Sequence, residues 1–336
     1  MPHATAWPAA ERLFRSDPDW RGGDAAYAVG LDDRRALWLF GDSFVARQPG
    51  AHSRRDCAMV RNSIALQTGA DPASARMEFH WRTDAGGPAA FFAGTGEEWL
   101  WPLHGVRTGA AVTLFFTRVV STGESGPFGF RAVGWTALRL LDVDGPSEGW
   151  RIEPAQLPAA PTFPVVVGTA VVADGDHVHA FALREPGDHA LFLLRWPRAA
   201  FAAGDLRAPE WRSGDGWVAH AALAAAPPPV LAEAAPEFTV IARRGGGFAM
   251  VQSLGFGHAD VAVRTAPSLG GPWSEPHVVW QPPQNGDASV MTYAGKAHPL
   301  ADGSWLVTYA SNAGDFGRLV ADESLYHPHC LRLEWP

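Results

Sequence analysis

Three acidic residues border apolar strands, where their side chains could act on one substrate. Asp24 precedes an apolar strand, Asp42 ends the apolar run LWLFGD, and Glu237 follows a proline before another strand. Cleavage of a glycoside needs one carboxylic acid to protonate the leaving oxygen and a second carboxylate to attack the anomeric carbon or to activate water. Burial and mutual repulsion raise one pKa and keep that acid protonated. Three such acids in one pocket would therefore predict a glycosidase.

Within that chemistry, we assign Asp24 as the base or nucleophile, Asp42 as the supporting or second carboxylate, and Glu237 as the general acid. The same residues have plainer interpretations. Asp24 and Asp42 could cap turns at strand ends, and Glu237 could be an ordinary residue at the rim of a sheet. The prediction that the three side chains lie together does not depend on how the roles are divided.

Polar and aromatic residues near the same strands could bind the substrate. Lys296 and His298 alternate on one face of a strand, where they could contact substrate hydroxyls or a catalytic carboxylate, or be satisfied within the sheet. Arg61 and Asn62 could bond sugar hydroxyls or close a loop. Tryptophan, present 15 times, serves either core packing or the stacking of sugar rings. The predicted substrate-binding residues are Arg61, Asn62, Trp99, Trp101, His104, Tyr293, Lys296, His298 and Asn312.

A fivefold repeat would position these residues. Five apolar strands each follow a turn segment (DDRR, RTGA, DGDH, RGGG and ADGS) that an earlier apolar strand enters. Their spacing suits four-stranded propeller blades. The five returning strands are residues 37–43, 112–119, 178–185, 248–254 and 305–312. The blades are predicted at residues 22–85, 97–155, 162–213, 235–280 and 288–334.

Counting outward from each turn predicts which residues face each other across the inner hairpin of a blade. The count places the acids at the open ends of their hairpins, on one rim. It also places Glu98 and Trp99 near Arg118. The predicted pairs are Asp24 with Ser43, Asp42 with Ala25, Glu237 with Ser253, and Tyr293 with Asn312.

Composition agrees with an all-β fold. The chain has 336 residues, 47% of them hydrophobic, and its 36 Gly and 28 Pro are spread along it, as many turns require. The sequence predicts a five-bladed β-propeller of four-stranded antiparallel blades round a central pocket. Residues 1–21 would form an N-terminal arm, and residues 22–336 a single propeller domain.

Charge and motif content limit the partners. The net charge is −8 and there is no basic run, which disfavours nucleic acid. No segment reaches membrane-spanning length, and neither the two Cys nor the His residues form a metal-binding pattern. We expect no metal and no cofactor, a small-molecule or oligosaccharide substrate, and a monomer or weak oligomer. The N-terminal residues do not resemble a signal peptide, which predicts a cytoplasmic protein, or a secreted one if a leader has been removed.

Several strings resemble a known family. They are residues 23–27 (GDAAY), 37–44 (LWLFGDSF), 59–63 (MVRNS), 99–102 (WLWP), 261–273 (VAVRTAPSLGGPW), 293–299 (YAGKAHP) and 309–312 (YASN). Together they are similar to the five-bladed β-propeller family related to glycoside hydrolase family 183, the endo-D-arabinanases. The resemblance implies endo-acting hydrolysis of a furanose polysaccharide, with central acids at Asp24 and Asp42. One departure is that Leu103 and His104 stand where the resemblance leads us to expect Gly-Asp. If an acid at that place touches substrate, its loss would alter specificity or remove activity.

Three functions therefore stay open from the sequence. The first is a glycoside hydrolase that cleaves a furanoside, either arabinan-like or a smaller glycoside. The second is a biosynthetic cyclase or lyase that reuses the acidic pocket of the propeller. The third is a carbohydrate-binding propeller without catalysis, in which the acids would be scattered or neutralised by Arg or Lys. Fold alone does not choose between them, because propellers host unrelated functions.

Overall fold

The structure, a computed structural model, describes residues 2–50, 52–124 and 128–335. Five antiparallel sheets are arranged as a five-bladed β-propeller, which confirms the predicted fold class. Each of the five predicted returning strands is the second strand of its blade. Of the helices in the described residues, none has the length and apolar composition to cross a bilayer.

Within the described ranges, the strands follow in chain order with three short helices between them. The N-terminal strand is β1 (His3–Ala6). Blade one comprises β2 (Trp20–Gly30), β3 (Arg35–Ala46), β4 (Cys57–Val60), β5 (Ser63–Thr68) and β6 (Arg76–His80), followed by the hairpin β7 (Arg82–Asp84) and β8 (Gly87–Ala89). Blade two comprises β9 (Trp99–Thr108), β10 (Ala111–Ser121), β11 (Phe130–Leu141) and β12 (Arg151–Pro154). Blade three comprises β13 (Val166–Asp174), β14 (His177–Leu183), β15 (Leu191–Pro197), β16 (Glu210–Ser213) and β17 (Gly216–Ala219).

Blade four comprises β18 (Phe238–Ala242), β19 (Phe248–Leu254), β20 (Asp260–Ala266) and β21 (His277–Trp280). Blade five comprises β22 (Val290–Pro299), β23 (Trp305–Ala313) and β24 (His329–Glu334). The helices are α1 (Pro8–Glu11), α2 (Arg198–Ala202) and α3 (Phe316–Ala321). Short 3₁₀ segments lie at Arg12–Arg15, Arg54–Asp56, Ser147–Gly149, His220–Ala222 and Pro283–Gly286.

The first strand of each blade lines the centre. Strands β2, β9, β13, β18 and β22 contact one another in that order around the ring. Each runs to a tight turn at one face, and the second strand returns to the other. The turns use residues suited to them: Asp32 accepts hydrogen bonds from the backbone of Arg34 and Arg35, and Gly109 has φ +63°. The face opposite these turns, where inner strands begin and second strands end, is called the acid face below.

Apolar side chains fill all five contacts between neighbouring blades. Phe116 belongs to a buried cluster shared by blades one and two, Phe115 to one shared by blades two and three, and Phe238 to one shared by blades three and four. Val307 belongs to a cluster shared by blades four and five, and Trp38 to one shared by blades five and one. Burial of a large side chain contributes about 1.5–3 kcal/mol. Each cluster joins side chains from two sheets, so the ring is held together by packing between blades.

The N-terminal strand closes the ring. Strand β1 pairs antiparallel with β24, with His3 opposite Glu334 and Ala6 opposite Leu331. The sheet of blade five therefore runs β1-β24-β23-β22, with its outermost strand supplied by the N-terminal segment.

Bulges make part of the predicted register wrong. Gly23, not Asp24, lies opposite Ser43, and Ala25 lies opposite Phe40 instead of Asp42. In blade five, Tyr293 pairs with Ala310 instead of Asn312. The reason is that extra residues interrupt both inner strands, and three of them are left-handed: Ala25 (φ +65°), Ala26 (φ +57°) and Ala294 (φ +59°).

The count holds where the hairpins are regular. In blade four, Phe238 pairs with Gln252, so the preceding Glu237 lies level with Ser253 as predicted. In blade two, Trp99 pairs with Val119, and Glu98 forms an ion pair with Arg118 at 2.6 Å, which confirms that these residues are neighbours.

Candidate active site

The three predicted acids belong to chain segments that end at the acid face. Asp24 lies near the start of β2, Asp42 near the end of β3, and Glu237 immediately before β18. Asp24 and Glu237 thus come from inner strands of blades one and four. Each of the three side chains is only partly accessible to solvent. The charges of Asp42 and Glu237 both act on Asp24, as expected for acids that share one pocket.

Asp24 has an unusual environment for a carboxylate. Its Oδ2 accepts a hydrogen bond of 2.8 Å from the hydroxyl of Tyr293, which in turn accepts one of 3.3 Å from Asn312 Nδ2. Burial, together with the negative charges of Asp42 and Glu237, raises the pKa of Asp24 from 3.8 to about 7. The carboxyl is therefore divided between its protonated and ionised forms near neutral pH.

Asp42 is held by two donors. Its Oδ1 accepts from Trp101 Nε1 at 2.9 Å, and its Oδ2 from Arg61 Nη1 at 3.0 Å. Burial raises the pKa of Asp42, while the charge of Arg61 and these hydrogen bonds oppose the rise. Arg61 itself lies flat against an aromatic side chain, with Cζ 4.4 Å from the ring centroid of Trp99. The two donors fix both carboxylate oxygens.

Glu237 is paired with a fully buried cation. Lys296 Nζ lies 2.5 Å from Glu237 Oε2, and it also donates to the carbonyl oxygens of Ala25 and Ala294. The ammonium stands 4.4 Å from the ring centroid of Tyr27. Burial lowers the pKa of Lys296, and the charge of Glu237 opposes that fall. One side chain of blade five thus connects the inner strands of blades one and four beside the pocket.

The backbone around these groups is strained. Among the described residues, six other than glycine have positive φ, and four of them adjoin the site: Ala25, Ala26, Ala294 and Tyr326. Each such residue costs on the order of 1 kcal/mol, a cost that surrounding structure must offset. Ala25 and Ala26 directly follow Asp24, and Ala294 lies between Tyr293 and Lys296. The strained residues therefore belong to the segments that carry the polar groups.

The structure brings most of the predicted substrate-binding residues to the acids. Trp101 and Arg61 contact Asp42, Tyr293 contacts Asp24, and Asn312 contacts Tyr293. Trp99 joins them through Arg61 and through the ring of Trp101, 6.1 Å away between centroids. Lys296 contacts Glu237 and is fully buried, so it supports a carboxylate instead of facing substrate.

Three predicted substrate-binding residues do not reach the pocket. Asn62 is buried and bonds the backbone of Phe92 and Leu100, which closes a loop. His298 is buried beside Trp38 and bonds the hydroxyl of Thr308 at 3.2 Å.

His104 stacks on Tyr27 at 5.8 Å between centroids, and its Nδ1 accepts from the backbone of Val171. Burial and the charge of Lys296 lower the pKa of His104 to about 4, which keeps it neutral. These three residues have structural partners.

Two tyrosines and one arginine at the site, Tyr27, Tyr326 and Arg54, are not among the residues predicted from the sequence. Tyr27 lies beneath the ammonium of Lys296. Burial, followed by the charges of Asp24, Tyr293 and Asp42, raises the pKa of Tyr326 well above its usual range, which marks it as a neighbour of both acids. The segment that carries Tyr326 is anchored by buried Arg54, which donates to the carbonyl of Leu319 at 2.5 Å and to that of Leu325. The only signal that the sequence offered was the scarcity of tyrosine, since the chain has four and three of them lie at this site.

This arrangement can supply both halves of an acid–base pair. Asp24 can hold a proton near pH 7, and the two donors on Asp42 favour its ionised form beside it. Neighbouring carboxyl groups with different proton affinities are the basis of glycosidic cleavage.

Solved structures with this fold include hydrolases. A protein from Bacteroides ovatus described as a "putative hydrolase" superposes with a TM-score of 0.77 at 17% identity, over 99% of this chain and 90% of that one. The α-L-arabinofuranosidase of Podospora anserina gives 0.50 at 14% identity, over 95% and 92%. The endo-arabinase of Bacteroides thetaiotaomicron gives 0.50 at 11% identity, over 94% of each chain. At these identities the similarity shows the fold, a propeller like those of glycoside hydrolases.

Sequence comparison adds the family. No curated protein matches the chain. Residues 9–335 match the model of the family described as a domain of unknown function (DUF5005), and the chain belongs to that family.

Proposed function

We propose that this protein is a glycoside hydrolase that cleaves furanosides, with Asp24, Asp42 and Glu237 as its central carboxylates. The observation that carries the proposal is the setting of Asp24, a carboxyl group that accepts a hydrogen bond from the neutral hydroxyl of Tyr293 beside Asp42 and Glu237. Burial and the charges of the other two acids raise its pKa to about 7. A carboxyl group of this kind retains a proton for the leaving oxygen at neutral pH. Structural ion networks can also shift pKa values, but among the described residues Asp24 forms no ion pair, and its hydrogen bond comes from the neutral hydroxyl of Tyr293.

The contacts favour a division of roles other than the one inferred from sequence. For Glu237 to act as general acid it would first have to be protonated, which would leave Lys296 as a buried ammonium without its counter-ion. Asp24 carries its hydrogen bond from a neutral tyrosine instead. We therefore assign Asp24 as the general acid and Asp42 as the base or nucleophile. Glu237 is the supporting carboxylate, whose charge raises the pKa of Asp24.

The reaction then proceeds between two fixed groups. Asp24 gives its proton to the leaving oxygen as the glycosidic bond breaks. The Asp42 carboxylate, oriented by Trp101 and Arg61, either attacks the anomeric carbon or takes a proton from the attacking water. Tyr293 and Asn312 orient the Asp24 carboxyl through their chain of hydrogen bonds.

The substrate class rests on two indications. The sequence strings of blades one, two and five resemble the endo-D-arabinanase group, and two structures with this fold are an α-L-arabinofuranosidase and an endo-arabinase. We infer a furanoside substrate, either an arabinan-like oligosaccharide or a smaller glycoside.

A second candidate is a carbohydrate-binding propeller without catalysis. The observation that favours it is that two of the three acids have cationic partners, Asp42 with Arg61 and Glu237 with Lys296. Such a protein would bind furanosides but would not turn them over. Trp99 and Trp101 would provide the aromatic surface for a sugar ring.

Activity on a panel of aryl furanosides, aryl pyranosides and arabinan tests the proposal. The wild type should release product from the furanosides. Asp24→Asn and Asp42→Asn should each lower kcat by about 10²-fold or more. Asp33→Asn is the matched control, because Asp33 is exposed in the turn at the opposite face.

Circular dichroism and thermal unfolding would show that the variants are folded. Wild-type binding of furanosides without turnover would establish the second candidate. Activity that survives in both Asn variants would remove these carboxylates from the mechanism.

A further inference from the structure

Exposed apolar side chains concentrate at the acid face. Among the described residues, five large hydrophobic side chains are exposed, and four of them lie where second strands end or connect to third strands: Met59, Phe128, Phe256 and Phe316. The fifth, Val278, belongs to the outermost strand of blade four. Single exposed hydrophobic residues are common on proteins, but this placement around one pocket is a pattern that requires an explanation.

Two of these side chains contact each other at the acid face. Phe128 belongs to the connection after β10 in blade two, and Phe256 to the connection after β19 in blade four. Their ring centroids are 5.9 Å apart in an edge-to-face arrangement, although blade three separates their blades in the ring. Both stay more than half exposed, at 56% and 58%. We call Phe128 and Phe256 the aromatic pair.

The aromatic pair is one side chain away from the proposed general acid. The ring of Phe256 lies 5.3 Å from that of Tyr293 between centroids. The hydroxyl of Tyr293 donates to Asp24 Oδ2 at 2.8 Å. Through Tyr293, the aromatic pair is therefore connected to the carboxyl group that we assign as the general acid.

We propose that the aromatic pair is a leaving-group subsite that binds an apolar or aromatic aglycone. The inference rests on the proposed function, since it takes Asp24 as the group that protonates the leaving oxygen. The substrate class it names is a furanoside with a hydrocarbon-rich leaving group. Specificity for such a group is set by Phe128 and Phe256.

The chemistry of the connection in blade four favours an apolar ligand over a second sugar. Phe256 stands between Gly255 (φ +81°) and Gly257 (φ +99°), so it is the only side chain of that tripeptide. Sugar subsites combine an aromatic platform with polar side chains that bond the hydroxyls. Arg61 and Trp101 are such groups beside Asp42, whereas the tripeptide presents only a hydrocarbon ring.

The test compares two glycosides that differ in apolar area and hardly in chemistry. Methyl and n-hexyl α-L-arabinofuranoside have leaving alcohols of nearly equal acidity. The wild type should show a kcat/KM for the hexyl glycoside about tenfold higher, the effect of burying roughly two methylene groups. In Phe256→Ala and in the double variant Phe128→Ala/Phe256→Ala, this hexyl-to-methyl ratio should fall to within about twofold. Phe256→Leu, which keeps an apolar side chain, should retain most of the preference.

Phe316→Ala is the matched control. It removes an exposed phenylalanine from the same face, but Phe316 packs on Phe44, 5.9 Å away between centroids, instead of on Tyr293. The ratio should not change in this variant. An equal ratio for the two glycosides in the wild type, or a preference that survives in the double variant, would overturn the subsite. The subsite would also be overturned if light scattering showed that the double variant loses self-association while its hexyl-to-methyl ratio of kcat/KM stays unchanged.

A binding measurement separates this inference from the proposed function. Methyl and hexyl 1-thio-α-L-arabinofuranoside resist hydrolysis, and calorimetry gives their affinities. If neither oxygen glycoside is hydrolysed, the proposed function fails, and a tighter hexyl thioglycoside that loses its advantage in Phe256→Ala still establishes the apolar subsite. If turnover occurs but both affinity and kcat/KM are indifferent to the hexyl chain, the subsite alone is refuted.

Discussion

At the scale of single residues, Asp24 shows how burial and function conflict. Its pKa of about 7 means that the folded protein holds an ionised, half-buried carboxylate against desolvation and two negative neighbours at alkaline pH. Only the hydroxyl of Tyr293 and the more distant charge of Lys296 oppose that cost. Active sites commonly sacrifice stability in this way.

The conflict has a measurable consequence for stability. Between pH 3.8 and about 7, the native state binds more protons at Asp24 than the unfolded chain, so this residue lowers the free energy of unfolding as pH rises through that range. Asp24→Asn removes the charge and keeps an acceptor for Tyr293. We expect the variant to be about 2–4 kcal/mol more stable than the wild type at pH 8, and equally stable below pH 4.

Urea unfolding followed by tryptophan fluorescence at several pH values measures this difference. Asp33→Asn should change stability by less than about 0.5 kcal/mol at each pH, because Asp33 is exposed. A destabilised Asp24→Asn at pH 8 would mean that the carboxylate is well solvated in the folded protein.

A second residue-scale prediction concerns Asp42. Activity that needs its carboxylate disappears at low pH, below the pKa of Asp42, and activity that needs protonated Asp24 disappears above about pH 7. Trp101→Phe keeps an aromatic ring but removes the hydrogen bond from the indole to Asp42 Oδ1. Because that hydrogen bond lowers the pKa of Asp42, its loss should raise the pKa. The acidic limb of the kcat/KM profile should therefore move up by about one pH unit.

Trp99→Phe is the control for this shift, since the indole of Trp99 contacts Arg61 and Trp101 instead of Asp42. Its acidic limb should stay in place. An unshifted limb in Trp101→Phe would show that Asp42 is not the group whose ionisation sets it.

Residue types and their places beside apolar strands predict the three carboxylates that we propose as catalytic. Asp24, Asp42 and Glu237 were recognisable because each borders an apolar strand in a position that hydrophobic periodicity does not explain. Tyr326 was not recognisable, because it reaches the acids from a segment that residues distant in sequence, among them Arg54 and Arg15, hold in place. Contacts of this kind come from long-range folding and leave no periodic signal in the sequence.

At the scale of strands, bulges position the site. A regular β2 would align Asp24 with Ser43, but the left-handed residues that follow it change the pairing so that Gly23 takes that place. For this reason the predicted pairing of residues across the hairpin is wrong in β2 and β22, whereas it is right in β18, which is regular. Alanine seldom adopts positive φ, so residue preference offered no warning. Strand order was predictable from periodicity, and local irregularity was not.

The close approach of β3 to Asp24 gives an element-scale prediction. A β-carbon at position 41 would collide with Oδ1 of Asp24. Gly41→Ala should therefore displace the carboxyl and lower kcat/KM at least tenfold, since small misplacements of catalytic groups are costly. The fold should persist, because the nearest obstacle is the end of a side chain.

Gly30→Ala is its matched control, at the far end of β2. No heavy atom lies within 4 Å of the added carbon there. That variant should stay within about twofold of wild-type kcat/KM. Full activity in Gly41→Ala would indicate that Asp24 can move without loss of function.

At the scale of the whole molecule, the ring depends on a short strand at its seam. Deletion of residues 2–6 removes β1 and exposes the edge of β24. The loss of these backbone hydrogen bonds should cost about 3 kcal/mol and lower the Tm by roughly 5 °C. Thermal scans by circular dichroism measure it. Thr5→Ala, an exposed change within β1, should keep the wild-type Tm, and a deletion with unchanged Tm would mean that β1 does not close the ring.

Because β1 pairs with β24, the ring should not depend on which blade comes first along the chain. The first and last strands of the propeller lie side by side in one sheet, with His3 beside Glu334. A short peptide could join them, and new termini could be cut into the exposed Gly245–Gly246 turn at the face away from the acids. Such a circularly permuted chain would begin in blade four, yet it would assemble the same pocket, because the pocket belongs to the circle and has no first blade.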